Sequence, residues 1–437
     1  MRWAVTTVNS SRKPAFLAGW IAVVALVALL AGCSSGSLAT TTVTSTTNAA
    51  PGTGGSSSAG SSSAASASPT SAGSVAATTS VAPPVASVTA TPALNSTGLS
   101  PVEPISFTVT KGTIDDLSFT NPDGKQVLGT MSADRTSWSV AEVLGFGKTY
   151  TVAGTATGTD GQQVPIAGTY AIVGEDAQTR STISPGDGAV VGVAAPINVA
   201  FGVEPDDRAL IQKNVTITTV PAVEGAWGWL QQDDGRWALV YRTKDYWPAG
   251  TTVHVDAKLY GLKFNDTSYG ASDITSDFTI GRNQVVIADV TSHALVVKQN
   301  GAVVASYPAS FGRGEDTGDP NLITRSGIHV VNEFFETKLM SNPRYGYSNI
   351  PEKWAVRISN NGEFIHANPA STDAQGNTNV THGCVNLSVA DADAYFHSAI
   401  WGDPVEVSGT TVQLGPEDGE IYVWGLTWDQ WKAQSVQ

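Results

Sequence analysis

Basic residues and cysteines are the scarce components of this chain. Lys and Arg total 24 against 38 Asp and Glu, and the net charge is −14. No basic stripe interrupts that deficit, so nucleic acid is excluded as a partner, because phosphate binding needs clustered Lys and Arg. The acidity is read as a solubility device. Charged residues of all kinds make up only 14% of the chain. What remains is rich in Ser, Thr, Ala, Gly and Val, the composition of an exported, mainly β protein rather than a helical cytosolic one. Hydrophobic residues at 41% are enough to fill cores, and 437 residues predict two to four domains. There are two cysteines, Cys33 and Cys384.

The N-terminus reads as a targeting segment. Arg2, Arg12 and Lys13 precede an uninterrupted apolar run over 15–32. A run near the ~20 residues of a membrane span can also be an uncleaved anchor. The run ends in Leu30, Ala31, Gly32 and Cys33, and this "LAGC" resembles the bacterial lipobox. On that reading 1–32 is a signal peptide, Cys33 is lipidated, and the protein is held on the outer side of the cell membrane, facing the wall. Either way the rest of the chain lies outside the cytoplasm. Cys384 then has no partner within the chain, which leaves a free, reactive thiol or a buried inert one.

Residues 33–100 contain no charged residue and cannot bury a core, so they are expected to be a disordered tether. Short alternating strands separated by turn signals follow over 101–182 and again over 183–282. These are expected to be two immunoglobulin-like β-sandwiches acting as spacers. "AWGWLQQDDGRWALVYR" predicts a hairpin closed at Asp-Asp-Gly. A third, β-rich domain is expected over 283–408. Asn300-Gly301 marks a type I′ turn, and a second hairpin is expected around Asn361-Gly362, its strand ending at His366. Val389, Ala392, Tyr395 and Phe396 have helical spacing after Ser388, a natural N-cap. The tail, 409–437, carries Trp424, Trp428 and Trp431, expected to clamp it onto the catalytic domain.

The stretch "THGCVNLS" surrounds Cys384. A thiol attacks only once ionised, and its free pKa of ~8.5 falls beside an imidazole or backbone donors. Two imidazoles are near in sequence, His382 and, 16 residues before it, His366. His366, at a strand end, suits a general base, with a backbone carbonyl orienting its far nitrogen. Gly383 permits a tight turn, so that the N–H groups of Gly383 and Cys384 face a developing oxyanion, worth ~2.7–4 kcal/mol each when pre-aimed. Asn386 would brace the loop. Zinc held by Cys384, His382 and His366 is a rival reading, as is a packed cysteine with incidental histidines.

His366, a spacer, then Thr381-His382-Gly383-Cys384-Val385-Asn386 resembles the signature of the bacterial L,D-transpeptidases. The similarity covers about 284–408, and "AQGNTNVTHGCVNLS" and "TWDQWKA" are similar to the mycobacterial, tandem-immunoglobulin members, the lipoprotein type in particular. The resemblance implies an acyltransferase of cell wall biogenesis, with no cofactor and no metal. It would attack diaminopimelate, the third residue of a peptidoglycan tetrapeptide stem, release D-Ala, and pass the acyl group to a second stem as a 3→3 cross-link. It makes Cys384 the nucleophile and His366 the base oriented by the Ala367 carbonyl. His382, Gly383 and Cys384 would line the oxyanion hole. Met340 and Tyr345 would belong to a substrate-covering flap, and Thr381 and Asn386 would lie along the substrate. It also implies acylation by carbapenem β-lactams. Two features depart from the pattern. Ala370 stands where relatives often have tryptophan, and the flap over 345–354 reads as short. A hydrolase using the same pair, or a non-catalytic wall-binding lipoprotein, are the competing functions.

Overall fold

The computed structural model describes residues 84–419 and 421–436. The apolar N-terminal run, Cys33 and most of the 33–100 tether lie outside the described residues. None of the helices among the described residues is long and apolar enough to cross a membrane.

The tether expectation fails at its C-terminal end. Ser87–Thr91 is a strand, paired antiparallel with Ser106–Thr110 from Ser87 opposite Thr110 to Thr91 opposite Ser106. Ala86, Val88 and Ala90 pack against the first apolar core. Small and β-branched residues serve a tether and an edge strand equally, so composition could not mark the boundary. That strand joins Ser137–Val140 and Gly129–Met131 in one sheet, and Gly112–Thr120, Thr149–Gly158 and Gln163–Ala171 form the facing one. Phe119 sits between them, its ring 5.5 Å from Tyr150, 5.9 Å from Tyr170 and 6.0 Å from Trp138.

A second pair of four-stranded sheets encloses Trp229, Trp247, Phe264 and Phe278. The predicted hairpin is present. Gly225–Gln231 pairs with Trp237–Thr243, and Gly235 takes the positive φ of 85° that its turn requires. Trp237–Thr243 does not alternate as a half-exposed strand should. All but its first residue are buried, because the tail covers its outer face. Ala238, Val240 and Leu230 pack there against Val423, Trp424 and Trp431. The indole N–H groups of Trp424 and Trp431 donate to Ala194 O and Ala226 O, each at 2.9 Å. Arg242 lies 4.6 Å from the Trp424 ring centre and donates to Leu426 O. The tail was expected on the catalytic domain. Its first part, 410–418, does bond the third body, through Thr324, Ser326 and Arg325, whereas Val423, Trp424 and Trp431 pack on the second sandwich together with Val330.

The third body has a five-stranded sheet and a four-stranded one, with Val286, Leu295, Phe311, Val356, Ile365 and Tyr395 in its core. Asn300 and Gly301 both have positive φ, as a type I′ turn demands. The helix Val389–Ser398 is capped by Ser388, whose hydroxyl accepts from the Asp391 N–H at 3.1 Å. Ala392 and Tyr395 face the core, while Val389, in the first turn, is exposed. In the four-stranded sheet, Phe364–Ala367 runs parallel to Val385–Leu387 and sets His366 opposite Asn386.

Removing the fully buried Trp431 should cost about 3–5 kcal/mol. Denaturant unfolding of Trp431→Ala followed by fluorescence checks this, and a loss below about 1 kcal/mol would make the tail a peripheral appendage.

Candidate active site

The strand Phe364–Ala367 is buried at every residue. Ile365 fills the core and His366 turns to the other side, into a cavity of ≈ 760 Å³. Cys384 directly precedes the strand beside it, so the parallel pairing brings its sulfur to the imidazole. The sulfur also lies 3.6 Å from Gly362 O. On the far side, His366 Nδ1–H donates to Ala367 O at 3.0 Å, the carbonyl orientation expected. That leaves Nε2 for the sulfur.

A carboxylate also reaches the same nitrogen. Glu352 Oε2 is 3.4 Å from Nδ1, and both side chains are largely shielded from water. Burial alone would depress the pKa of His366. The hydrogen bonds and charges of Cys384 and Glu352 outweigh it and raise the pKa to about 10. His366 is therefore held to its proton more tightly than a free imidazole.

The cysteine loop is held from inside. Thr381 Oγ1 donates to Cys384 O at 2.6 Å and accepts from Gly383 N at 3.1 Å. Thr324 Oγ1 donates to Gly383 O at 2.8 Å and accepts from Gly312 N at 2.9 Å. Gly383 has φ +119°, a conformation that disfavours any side chain. Two expectations change here. Thr381 lines the cavity, yet its hydroxyl is committed to the loop. The Gly383 N–H, expected to face the oxyanion, is taken by Thr381. The Cys384 N–H has no acceptor among the described residues. Asn386 braces the loop, with Nδ2 donating to Ser371 Oγ at 3.0 Å and its backbone paired with Ser310.

His382 takes a different part from His366. Burial, and then the charge of Arg313, hold its pKa below the ordinary value. Arg313 Nη2 donates to its Nε2 at 3.3 Å. A guanidinium on that nitrogen does not suit a zinc ligand. The rings of Tyr345 and Tyr347 each lie 5.3 Å from the imidazole, so His382 is the post on which the flap rests. The flap is a long hairpin, Glu333–Asn342 with Tyr347–Arg357, and 345–354 belongs to it rather than to a short lid. Met340 and Tyr345 line the cavity, and Tyr345 OH donates to Asp319 at 2.8 Å. Ala370 lines the same cavity from an exposed turn, so the wall is low where a tryptophan would raise it.

Glu352, Thr324, Tyr347, Arg313 and Ser371 were not foreseen. Each lies far in sequence from the motif or outside any recognisable pattern, and only pairing brings it in.

A family profile described as the L,D-transpeptidase catalytic domain matches residues 283–407, and one described as a bacterial Ig domain matches 96–263, which spans strands of both sandwiches. The chain is similar to L,D-transpeptidase 5 of Mycobacterium tuberculosis, 46% identical over 354 residues, which is 81% of this chain and 78% of that protein. It is 34% identical to L,D-transpeptidase 2 of the same species over 76% of this chain and 81% of that one. A solved LD transpeptidase in complex with imipenem aligns with 53% of this chain and 99% of its own, at 28% identity and a TM-score of 0.44.

Thr324→Val keeps the shape of the side chain but leaves Gly312 N and Gly383 O unpaired, a cost of about 1–3 kcal/mol. The variant should fold with lowered stability and alkylate more slowly at Cys384. Unchanged rates, read by peptide mass spectrometry, would mean that the loop keeps its shape without this hydroxyl.

Proposed function

The chain belongs to the L,D-transpeptidase family, and on that basis we propose that it joins peptidoglycan stems through 3→3 links between diaminopimelate residues. One observation carries the proposal: Cys384 and His366, whose far nitrogen is held by the Ala367 carbonyl, meet inside a cavity covered by the flap. Cys384 attacks, as thiolate, the carbonyl of the third residue of a tetrapeptide stem. The oxygen gains charge against the Cys384 N–H. As the tetrahedral species collapses, the bond to D-Ala breaks, and His366 gives the departing amine its proton. A thioester remains on Cys384. The side-chain amine of a second stem's diaminopimelate then attacks it, His366 takes the proton, and the thiolate is restored. Met340 and Tyr345 on the flap would hold the donor stem, with Thr381 and Asn386 shaping the floor. A carbapenem enters by the same first step, and the opened ring stays on Cys384.

The test is mass spectrometry of the protein incubated with a disaccharide-tetrapeptide, beside Cys384→Ala. A dimer lacking one D-Ala, absent in the variant, is expected, as is a carbapenem mass on the parent alone. Tripeptide without dimer would instead make the protein a hydrolase, with water as acceptor.

We also propose that Cys33 is lipidated and that the following segment tethers the described part outside the membrane, within reach of the wall. The support is the "LAGC" motif at the end of the apolar run. Cys33→Ala should release the protein into the medium. Retention in the membrane fraction would mean that the run itself is the anchor.

A further inference from the structure

The catalytic imidazole has two acceptors on one nitrogen, and the second is a carboxylate. We infer that Glu352 is a positioning residue, which holds the His366 ring and its proton in place for the exchange with Cys384, and that this partner is supplied by the flap. The inference concerns the same Cys–His site as the proposed function.

Three observations carry it. The distance from Glu352 Oε2 to His366 Nδ1 is 3.4 Å, and Ala367 O accepts from the same nitrogen at 3.0 Å, so the ring edge is held between two oxygens. The Glu352 side chain is only 14% exposed and lines the cavity. Among the described residues, no Lys or Arg forms an ion pair with it, and His366 is its one cationic partner. A positive charge on His366 is therefore met by this carboxylate at close range and out of competition with other cations.

The surroundings leave no other group to play this part. Cys384 and His382 come from the cysteine loop, and His382 is occupied by Arg313. From Tyr347–Arg357 come Glu352, Tyr347, held neutral by burial, and Arg357, which pairs with Glu333. The helix packed behind Phe364–Ala367 buries Tyr395, likewise held neutral. Its ionic side chains pair locally, Asp391 with Ser388 and His397 with Asp393. Glu352 is the sole acid of this set that meets His366.

Its place on the flap adds a consequence. Glu352 stands opposite Lys338 in the hairpin, between the tip that rests on His382 and the strand that joins Phe364–Ala367. The charge partner of the imidazole thus comes from the same hairpin that covers the cavity.

The sign is definite. The raised pKa of His366, about 10, means that the imidazolium persists through neutral pH and is lost as pH rises through that value. Removing the carboxylate removes one of the two stabilising partners, and the loss should move to lower pH by about 1 unit or more. The measurement is a pH titration of the imidazole nitrogens by NMR, on the full-length chain in detergent labelled with nitrogen-15 histidine. The chain has 6 histidines, and His366→Gln assigns the signal. Glu352→Gln should lower the midpoint by that amount, and Glu352→Asp should recover part of it. Lys353→Gln, a change of charge at an exposed neighbouring position on the flap, should leave it in place. The His382 signal in the same spectra reports whether the flap still rests on its post. Superimposed curves for Glu352→Gln and the parent, or an equal shift in Lys353→Gln, would overturn the inference. No wall substrate enters this experiment, so its outcome stands apart from that of the cross-linking test.

Discussion

Everything at the site depends on one parallel pairing, that of Phe364–Ala367 with Val385–Leu387. It places His366 opposite Asn386, two residues beyond Cys384. The two strands are separated by a loop of seventeen residues between Ala367 and Val385, and a parallel pair needs such a crossover. A slip of one residue would turn His366 into the core and Ile365 into the cavity. The register is held by what lies on each side. Ile365, Val385 and Leu387 are committed to the core, and the Asn386 backbone bonds Ser310 on the other edge. The geometry of the site thus rests on the hydrophobic burial of Ile365 and Val385, the immediate neighbours of His366 and Cys384.

The second constraint is electrostatic. An imidazolium almost out of reach of water is costly on its own. It is tolerated because Ala367 O, Glu352 and the Cys384 sulfur surround it. Three of the groups that set the chemistry come from backbone or loop: the Ala367 carbonyl, the Cys384 N–H, and the hydroxyl bridge through Thr324 and Thr381. None of them reacts, and all of them hold the reacting groups still, which is the larger share of what a rigid site supplies.

The sandwiches bear on the site through the tail. Trp424 and Trp431 bury themselves on Ala238 and Val240, and Asp418 of the same tail meets Arg325 and Asn361. Asn361 precedes Gly362, whose carbonyl touches the Cys384 sulfur. The second sandwich and Cys384 are therefore joined by a chain of packed and hydrogen-bonded groups, although a spacer role alone would not call for one.

How much of this was legible in the sequence follows the range of each interaction. Local rules acted where local chemistry decides. The Asn300-Gly301 turn, the Ser388 cap, the hairpin at Asp-Asp-Gly and the mainly β character all follow from residue type and spacing within a few positions. Cys384 and His366 stood out because a thiol–imidazole pair narrows to few residue types and the chain holds so few cysteines and histidines, and the fold brings the two together. Register and tertiary contact decided the rest. The strand Ser87–Thr91 looked like tether because its residues satisfy both descriptions until a partner strand is present. The tail reached the second sandwich because an apolar outer face was exposed there. Gly383 gave its N–H to Thr381, and Glu352 reached His366, because of pairings between residues separated by other elements. Sequence determined which groups could do the chemistry. Only the fold decided which of them meet, since a hydrogen bond of 3 Å between distant residues has no signature in the order of the chain.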